Sequence, residues 1–204
     1  MSQSCEIPGS LEPLLKSLTL RKVREVLPRE LERVTKTECS YTEFLERILR
    51  EEVQDRQARA LDNRIKAARL PERLSLETFP WKRQPGVKAA FIRQLGELGF
   101  VRHAQNIVFK AETGRGKTGL AIGLMMKAME SGHRALFIKA QDLLDQMYAS
   151  LADRFTRRLL NRLATVDVLC IDELGYSNVK PEQANLFFKL VEERHLKKPT
   201  IITT

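Results

Sequence analysis

The stretch AETGRGKTG, from Ala111 to Gly119, decides the fold of this chain. It matches the phosphate-binding pattern G-x-x-x-x-G-K-[ST] at Gly116, Lys117 and Thr118, while Ala111 stands where the first glycine belongs. In such a loop, successive backbone N–H groups and the positive end of the next helix surround a phosphate, so side chains must be small where the chain curls. We therefore predict a nucleotide-binding loop.

Each position of this loop has an expected part in holding a nucleotide and Mg²⁺. Lys117 supplies a cation for the β- and γ-phosphates, and Thr118 supplies a hydroxyl for Mg²⁺. The residues predicted to bind the nucleotide are Ala111, Glu112, Thr113, Gly114, Arg115, Gly116, Lys117 and Thr118.

Ala111 is the departure from the loop pattern. It stands at the exit of the preceding strand, before the tight curl, and the methyl group leaves its backbone N–H in place. The methyl costs little where φ is negative, and about 1–3 kcal/mol where the backbone is strained. We expect Ala111 to weaken nucleotide binding at most.

The second motif is the apolar run VLCIDE at 168–173, which ends in two carboxylates. Ligands bind at the carboxyl ends of parallel strands, so Asp172 is predicted to hold Mg²⁺ together with Thr118, and Glu173 to orient and deprotonate the attacking water. Lys117, Asp172 and Glu173 form the predicted catalytic set, because phosphoryl transfer needs mainly positioning and charge. The alternative is a strand that ends in acidic residues at the sheet rim without a ligand.

The sequence around these motifs alternates between strand and helix patterns. Strands are predicted at 106–110, 135–138, 166–171 and 200–203, and helices at 117–131, at 141–163 and from 181 onward. The last helix shows Ala184, Phe187, Phe188 and Val191 at the spacing of one helical face. Such alternation favours an α/β fold with a parallel sheet covered on both faces. Gly119 and Gly123 are expected to let the helix after the loop pack closely on that sheet.

The first 77 residues read as almost wholly helical. Pro28 predicts a break or a new first turn, and Ser40 with Glu43 forms a capping box that begins a long helix. An apolar stripe follows on that helix, at Phe44, Leu45, Ile48, Leu49 and Val53. We predict a helical domain at 1–77, a linker and start of the core at 78–104, and a P-loop core at 105–204.

The charge of the chain favours an anionic partner. Its net charge is +9 and its isoelectric point is near 9.7, which suits nucleic acid because contacts with phosphates release counterions. Two basic runs stand out: Arg56, Arg59, Arg64, Lys66, Arg69 and Arg73 in the first, and Arg154, Arg157, Arg158 and Arg162 in the second. Each run is either a DNA contact or a solvated helix face.

Composition also bears on localisation. The apolar runs fall short of the ~20 residues that cross a membrane, and the opening residues do not form a basic and apolar leader. The three cysteines are scattered without the spacing of metal ligands. We predict a cytoplasmic protein without a membrane segment.

Taken together, the chain resembles the IstB-like helper ATPases of insertion-sequence transposons, a branch of the AAA+ group near the DnaC-like helicase loaders. The likeness rests on SYTEFLERILREE, RIKAARLPERLSLETFPWKRQPG, TGRGKTGLA, IDELGY and EQANLFFKLVEER. It implies an AAA+ core after a small helical domain, ATP-dependent assembly of a homo-oligomer on double-stranded DNA, and cooperation with a transposase in DNA recombination. Phe79 and Trp81 fall near the expected adenine pocket, or are ordinary packing residues.

The resemblance also sets expectations for the end of the chain. The family continues beyond IITT, at 201–204, with a polar sensor residue, a fifth strand, an arginine finger and a helical lid, so we expect a C-terminally shortened relative. The strand at 106–110 then lies at a sheet edge, and ATP hydrolysis is left open. The alternative functions are a DnaC-like helicase loader and a non-catalytic DNA- or partner-binding remnant of a truncated transposon gene.

Overall fold

A computed structural model describes residues 7, 9–37, 39–84, 86–152, 155–175 and 179–204. The chain divides into two compact units, Met1–Asp62 and Asn63–Thr204. The division falls inside a long helix, and the domain limits 1–77, 78–104 and 105–204 stay a prediction. None of the described helices is both long and apolar enough to cross a membrane.

The first unit is helical. It contains α1 (Leu11–Ser17), α2 (Arg21–Lys36) and most of α3 (Tyr41–Ala68). Leu15, Val23, Leu27 and Ile48 form its core. The predicted capping box is confirmed, since Ser40 Oγ accepts a hydrogen bond of 3.2 Å from the N–H of Glu43, whose carboxylate accepts one of 2.9 Å from the N–H of Ser40.

The break expected at Pro28 was wrong. Helix α2 continues through Pro28, because burial of Val26 and Leu27, just before the proline, outweighs the hydrogen bond that proline cannot donate. The apolar stripe of α3 is only partly buried: Leu45, Leu49 and Val53 are each about half exposed. The row of Phe44 and Ile48 meets the core of this unit, whereas the neighbouring row does not.

The second unit is a parallel α/β sheet with helices, as predicted. After a short 3-10 turn at Trp81–Arg83, its elements are α4 (Ala89–Gly96), α5 (Gly99–Arg102), β1 (Ile107–Phe109), α6 (Lys117–Glu130), β2 (Ala135–Lys139), α7 (Ala140–Ala152), α8 (Thr156–Thr165), β3 (Val168–Asp172), α9 (Pro181–Arg194) and β4 (Thr200–Thr203). The helix predicted at 141–163 is thus two helices, α7 and α8.

The sheet order is β1-β4-β3-β2, and the three strand pairs are all parallel. All residues of the central strand β3 are buried, and much of α6 is buried as well, including Ile122, Leu124 and Met125. Among the described residues β1 pairs only with β4, and Val108 on β1 is 60% exposed. The predicted edge position of this strand is therefore confirmed.

Helix α9 buries a different face from the one that the apolar spacing predicted. Phe188 is 69% exposed, whereas Gln183, Leu190 and Arg194 are buried. The guanidinium of Arg194 donates to the carbonyls of residues at the end of α8 and to Thr200 Oγ1. Burial lowers the pKa of Arg194 to about 10, so the side chain remains charged at neutral pH. The apolar spacing did not predict the buried face of α9, because Gln183 and Arg194 on that face are polar.

Candidate nucleotide-binding site

The loop between β1 and α6 has the curled backbone that a phosphate cradle requires. Gly114 and Gly116 adopt left-handed conformations, with φ of +79° and +74°, which glycine reaches without the steric cost of a Cβ atom. Ala111 is not among the residues of positive φ, and its N–H donates to the Thr204 carbonyl at 3.3 Å. The methyl of Ala111 therefore lies outside the strained part of the loop.

Lys117 reaches back over this curl. Its Nζ donates to the carbonyl of Ala111 at 2.6 Å and to that of Glu112 at 2.9 Å. An ammonium group has a further N–H to give, so the loop holds the cation in place and leaves it able to contact a phosphate. Arg115 pairs with the exposed carboxylate of Glu112 at 2.8 Å at the outer rim.

The structure brings together Thr118 and Asp172, the two residues predicted to hold Mg²⁺. The Thr118 hydroxyl donates to Asp172 Oδ1 at 2.9 Å, joining the start of α6 to the end of β3. The Asp172 side chain is nearly fully buried. The hydroxyl of Thr203, at the end of β4, donates to the same Oδ1 at 2.6 Å.

Glu173 follows Asp172 in an exposed position with a left-handed backbone, at φ of +60°. Its N–H donates to Thr203 Oγ1 at 2.9 Å, and the N–H of Leu174 donates to the Thr203 carbonyl at 2.8 Å. The turn after β3 is thus fastened to the end of β4, which fixes a conformation that costs a non-glycine residue about 1 kcal/mol or more.

The donor set fits Mg²⁺ with a nucleotide. Hydroxyl and carboxylate oxygens are the ligands that this hard cation prefers, and it usually takes one or two of them from the protein and the rest from phosphate and water. Among the described residues no group of three or more His, Cys, Asp and Glu side chains could hold a metal ion alone. Thr118 and Asp172 are the residues that could hold the ion here.

Sequence reasoning missed how the segment before α4 supports the loop. A Cβ atom on Gly116 would lie 3.0 Å from Phe79, so the buried Phe79 ring packs directly behind the loop. The Phe79 and Trp81 rings lie 4.8 Å apart between centroids, and Gln84 Nε2 donates to the Gly114 carbonyl at 3.4 Å. Of the two interpretations for Phe79, the packing role is the one that its contacts show.

The glycines of α6 face this same segment and not the sheet, contrary to expectation. A Cβ on Gly119 would meet Phe79 at 3.4 Å, and one on Gly123 would overlap with Leu76 at 2.5 Å. Both glycines therefore let the segment 74–79 lie close against α6.

The sequence alone did not indicate Thr203. Its hydroxyl becomes part of the site only because β4, which it ends, pairs with β3.

A cavity of about 1200 Å³ opens beside the loop. Its walls come from α4, α5, β1 and the loop itself, and Phe91, Ile92 and Leu95 line it together with Lys117. Neither Phe79 nor Trp81 lines this space. An apolar cavity next to a phosphate-binding loop is suited to a nucleoside whose phosphates lie on the loop.

Comparison with known proteins identifies a family. The profile of the family described as IstB-like ATP binding protein matches residues 13–204. The chain is 36% identical over 194 residues to the insertion sequence IS21 putative ATP-binding protein of Pseudomonas aeruginosa, covering 95% of this chain and 73% of that one. It is 36% identical over 165 residues to the insertion sequence IS5376 putative ATP-binding protein of Geobacillus stearothermophilus, covering 81% of this chain and 66% of that one.

Solved structures agree on the fold. A DnaC helicase loader gives a TM-score of 0.57 at 24% identity, covering 64% of this chain and 75% of that one. AMPPCP-bound DnaA from Aquifex aeolicus gives a TM-score of 0.58 at 22% identity, covering 67% of this chain and 43% of that one. At these identities the likeness shows the fold alone, a parallel α/β sheet with helices.

Proposed function

The chain belongs to the family of IstB-like ATP-binding proteins, and we propose that it is the ATP-binding helper protein of an insertion sequence, acting with a transposase. Its relatives carry names of the form insertion sequence putative ATP-binding protein. The observation that carries the proposal is the hydrogen bond of 2.9 Å between Thr118 and Asp172. It joins two motifs that are 54 residues apart into one site.

Each residue of this site would have its own role in binding ATP. The curled loop and Lys117 would hold the phosphates, while Thr118 and Asp172 would hold Mg²⁺. The ion, when bound, neutralises charge on the phosphate oxygens. Glu173, exposed just after β3, would orient and deprotonate the water that attacks ATP. ATP hydrolysis is therefore part of the proposal.

The proposed macromolecular partners are double-stranded DNA, a transposase and further copies of this chain. The net charge of +9 supports DNA as a partner, because basic proteins bind the phosphate backbone through counterion release. We place the protein in the cytoplasm, where a helper of bacterial transposition meets its DNA.

The two alternatives have less support. Likeness to a DnaC helicase loader reaches 24% identity, which supports the shared fold, whereas relatives from insertion sequences reach 36%. The intact arrangement of Lys117, Thr118 and Asp172 supports nucleotide binding, which a non-catalytic DNA- or partner-binding remnant does not require.

The test is the ATP dependence of DNA binding. Fluorescence anisotropy with a labelled duplex should show that ATP increases the affinity for DNA by a factor of about 5–150, as for other coupled ligands. Sedimentation velocity of the mixture should show larger assemblies with ATP than without it. The Lys117→Ala variant should show neither effect. Duplex binding that is equal with and without ATP would leave only the remnant, and steady-state turnover no faster than that of Lys117→Ala would remove the ATPase activity from the proposal.

A further inference from the structure

A second cavity, of about 410 Å³, lies in the second unit and is lined by four arginines: Arg64, Arg69, Arg134 and Arg162. We call it the arginine groove. Ala135 and Val166 also line it; Ala135 begins β2, and Val166 lies two residues before β3. The nucleotide loop lies at the carboxyl ends of the strands, so the arginine groove is a separate site.

Three of the arginines are oriented by single hydrogen bonds. Arg64 Nε donates to the Met129 carbonyl at 2.9 Å, Arg134 Nη2 to the Thr165 carbonyl at 3.1 Å, and Arg162 Nη2 to Gln146 Oε1 at 3.0 Å. A guanidinium has several more N–H groups than one such bond uses. These contacts therefore hold the side chains beside the groove and leave N–H donors unused by them.

The fourth arginine follows the end of α3. Arg69 is exposed and has a left-handed backbone with φ of +57°. The chain thus turns at the rim of the arginine groove and places an exposed cation there.

The groove is positively charged. Its lining residues include no carboxylate. Asp167, which is not a lining residue, lies 3.8 Å from Arg134 Nε and also pairs with Lys198 at 2.5 Å. No carboxylate among the lining residues therefore compensates the charge of the four guanidinium groups.

The chemistry of the lining selects the partner. Planar guanidinium groups match phosphate oxygens in paired hydrogen bonds. No aromatic side chain lines the groove, so it lacks the stacking platform on which proteins hold the bases of single strands. We propose that the arginine groove binds the phosphate backbone of duplex DNA, an assignment that rests on the proposed role in transposition.

This assignment selects among the basic residues of the two sequence runs. Arg64 and Arg69 come from the first run and Arg162 from the second, and the fold gathers them around one groove. Arg157 and Arg158 are exposed on α8 and do not line the groove, while Arg154 lies outside the described residues.

The test compares two double variants of equal charge. Arg69→Gln with Arg162→Gln removes two groove cations that donate to no backbone carbonyl in the contacts above, and Arg157→Gln with Arg158→Gln is the matched control. Binding of a random-sequence duplex is measured with ATP across a salt series, after confirming that each variant keeps the wild-type unfolding temperature. The groove variant should weaken binding by about tenfold or more, and reduce the slope of log K against log salt by about two.

The control should keep the wild-type affinity and slope to within about half a unit of slope. Equal losses in both double variants, or no loss in the groove variant, would overturn the assignment while wild-type ATP-dependent DNA binding still upholds the proposed function. Tripolyphosphate binding is also measured in the Lys117→Ala background, with and without the two groove substitutions. If these substitutions abolish tripolyphosphate binding but leave duplex binding unchanged, the groove is a small-anion site and the assignment to duplex DNA is overturned. A wild-type chain that binds no duplex would contradict both proposals.

Discussion

Thr203 donates a hydrogen bond of 2.6 Å to Asp172 Oδ1, and its hydroxyl accepts one of 2.9 Å from the N–H of Glu173. Thr203 is fully buried at the end of β4. One side chain therefore holds the carboxylate of Asp172 and the backbone of Glu173 in the candidate site. Thr203 is a positioning residue, and the Mg²⁺ dependence of binding should report its loss.

We expect Thr203→Val to raise the Mg²⁺ concentration that half-saturates ATP binding by about 10–100-fold, as for other residues that orient metal ligands. Valine keeps the shape of threonine and removes the hydroxyl. Thr203→Ser keeps the hydroxyl and should stay within a few-fold of wild type. ATP titrations over a range of Mg²⁺ concentrations measure this, and a valine variant with the wild-type Mg²⁺ response would exclude the positioning role.

Phe79→Ala should weaken both the fold and the site, because it leaves a space behind Gly116. We expect a loss of about 3–5 kcal/mol in the free energy of unfolding, as for other buried phenylalanines, and weaker ATP binding at temperatures where the variant is folded. Phe155→Ala is the matched control, since Phe155 is 58% exposed. Urea unfolding and ATP titration give the two values; a destabilised variant with wild-type ATP affinity would show that Phe79 supports the fold alone.

Ala111→Gly should change ATP affinity by less than about fivefold, which corresponds to roughly 1 kcal/mol. The reason is that Ala111 does not have a positive φ, so glycine relieves no strain there. Side-by-side ATP titration of the variant and wild type measures the difference. A gain of several hundredfold would instead mean that the natural loop is damaged.

Glu52 makes the first unit sensitive to acid. It is 2% exposed and accepts hydrogen bonds from the N–H groups of Lys22 and Val23, at 2.7 and 3.2 Å, and from Arg56 Nε at 2.8 Å. Burial alone would raise its pKa, but these hydrogen bonds outweigh burial and hold the pKa below its ordinary value. The native state thus binds fewer protons than the unfolded state at this group.

Stability from Glu52 is therefore fully present above the ordinary glutamate range and is lost as pH falls through the lowered pKa. Glu52→Gln should cost about 1–2 kcal/mol near pH 7, and its difference from wild type should shrink below about pH 4. Urea unfolding of both proteins near pH 7 and below about pH 4 measures this difference. A difference that stays constant or grows in acid would show that the carboxylate charge is not what stabilises the unit.

The nucleotide loop and the end of β3 could be predicted because their chemistry is local. Glycines at a tight curl, and a carboxylate at the end of an apolar strand, are visible in a few adjacent residues. Thr203 and Phe79 were not predicted as supports of the site, because they meet it only after the strands pair and the segment before α4 folds back. The same holds for the arginine groove, whose members are spread from Arg64 to Arg162.

Errors arose where tertiary packing outweighed a local rule. Pro28 predicts a break, yet the buried side chains of α2 keep the helix continuous. Apolar spacing on α9 indicated the wrong face, because the hydrogen bonds of Gln183 and Arg194 allow polar side chains to be buried. Each error follows from reading one chain segment without its neighbours.

The central claim is that the loop at 111–118 holds the phosphates of ATP through Lys117. Titration of a fluorescent ATP analogue into wild type and Lys117→Ala, with excess Mg²⁺ and with unlabelled ATP as competitor, tests it most directly. We predict saturable binding by wild type and a loss of about 10- to 100-fold in the variant, the value of one charged hydrogen-bonding group. Equal affinities in the two proteins would contradict the account.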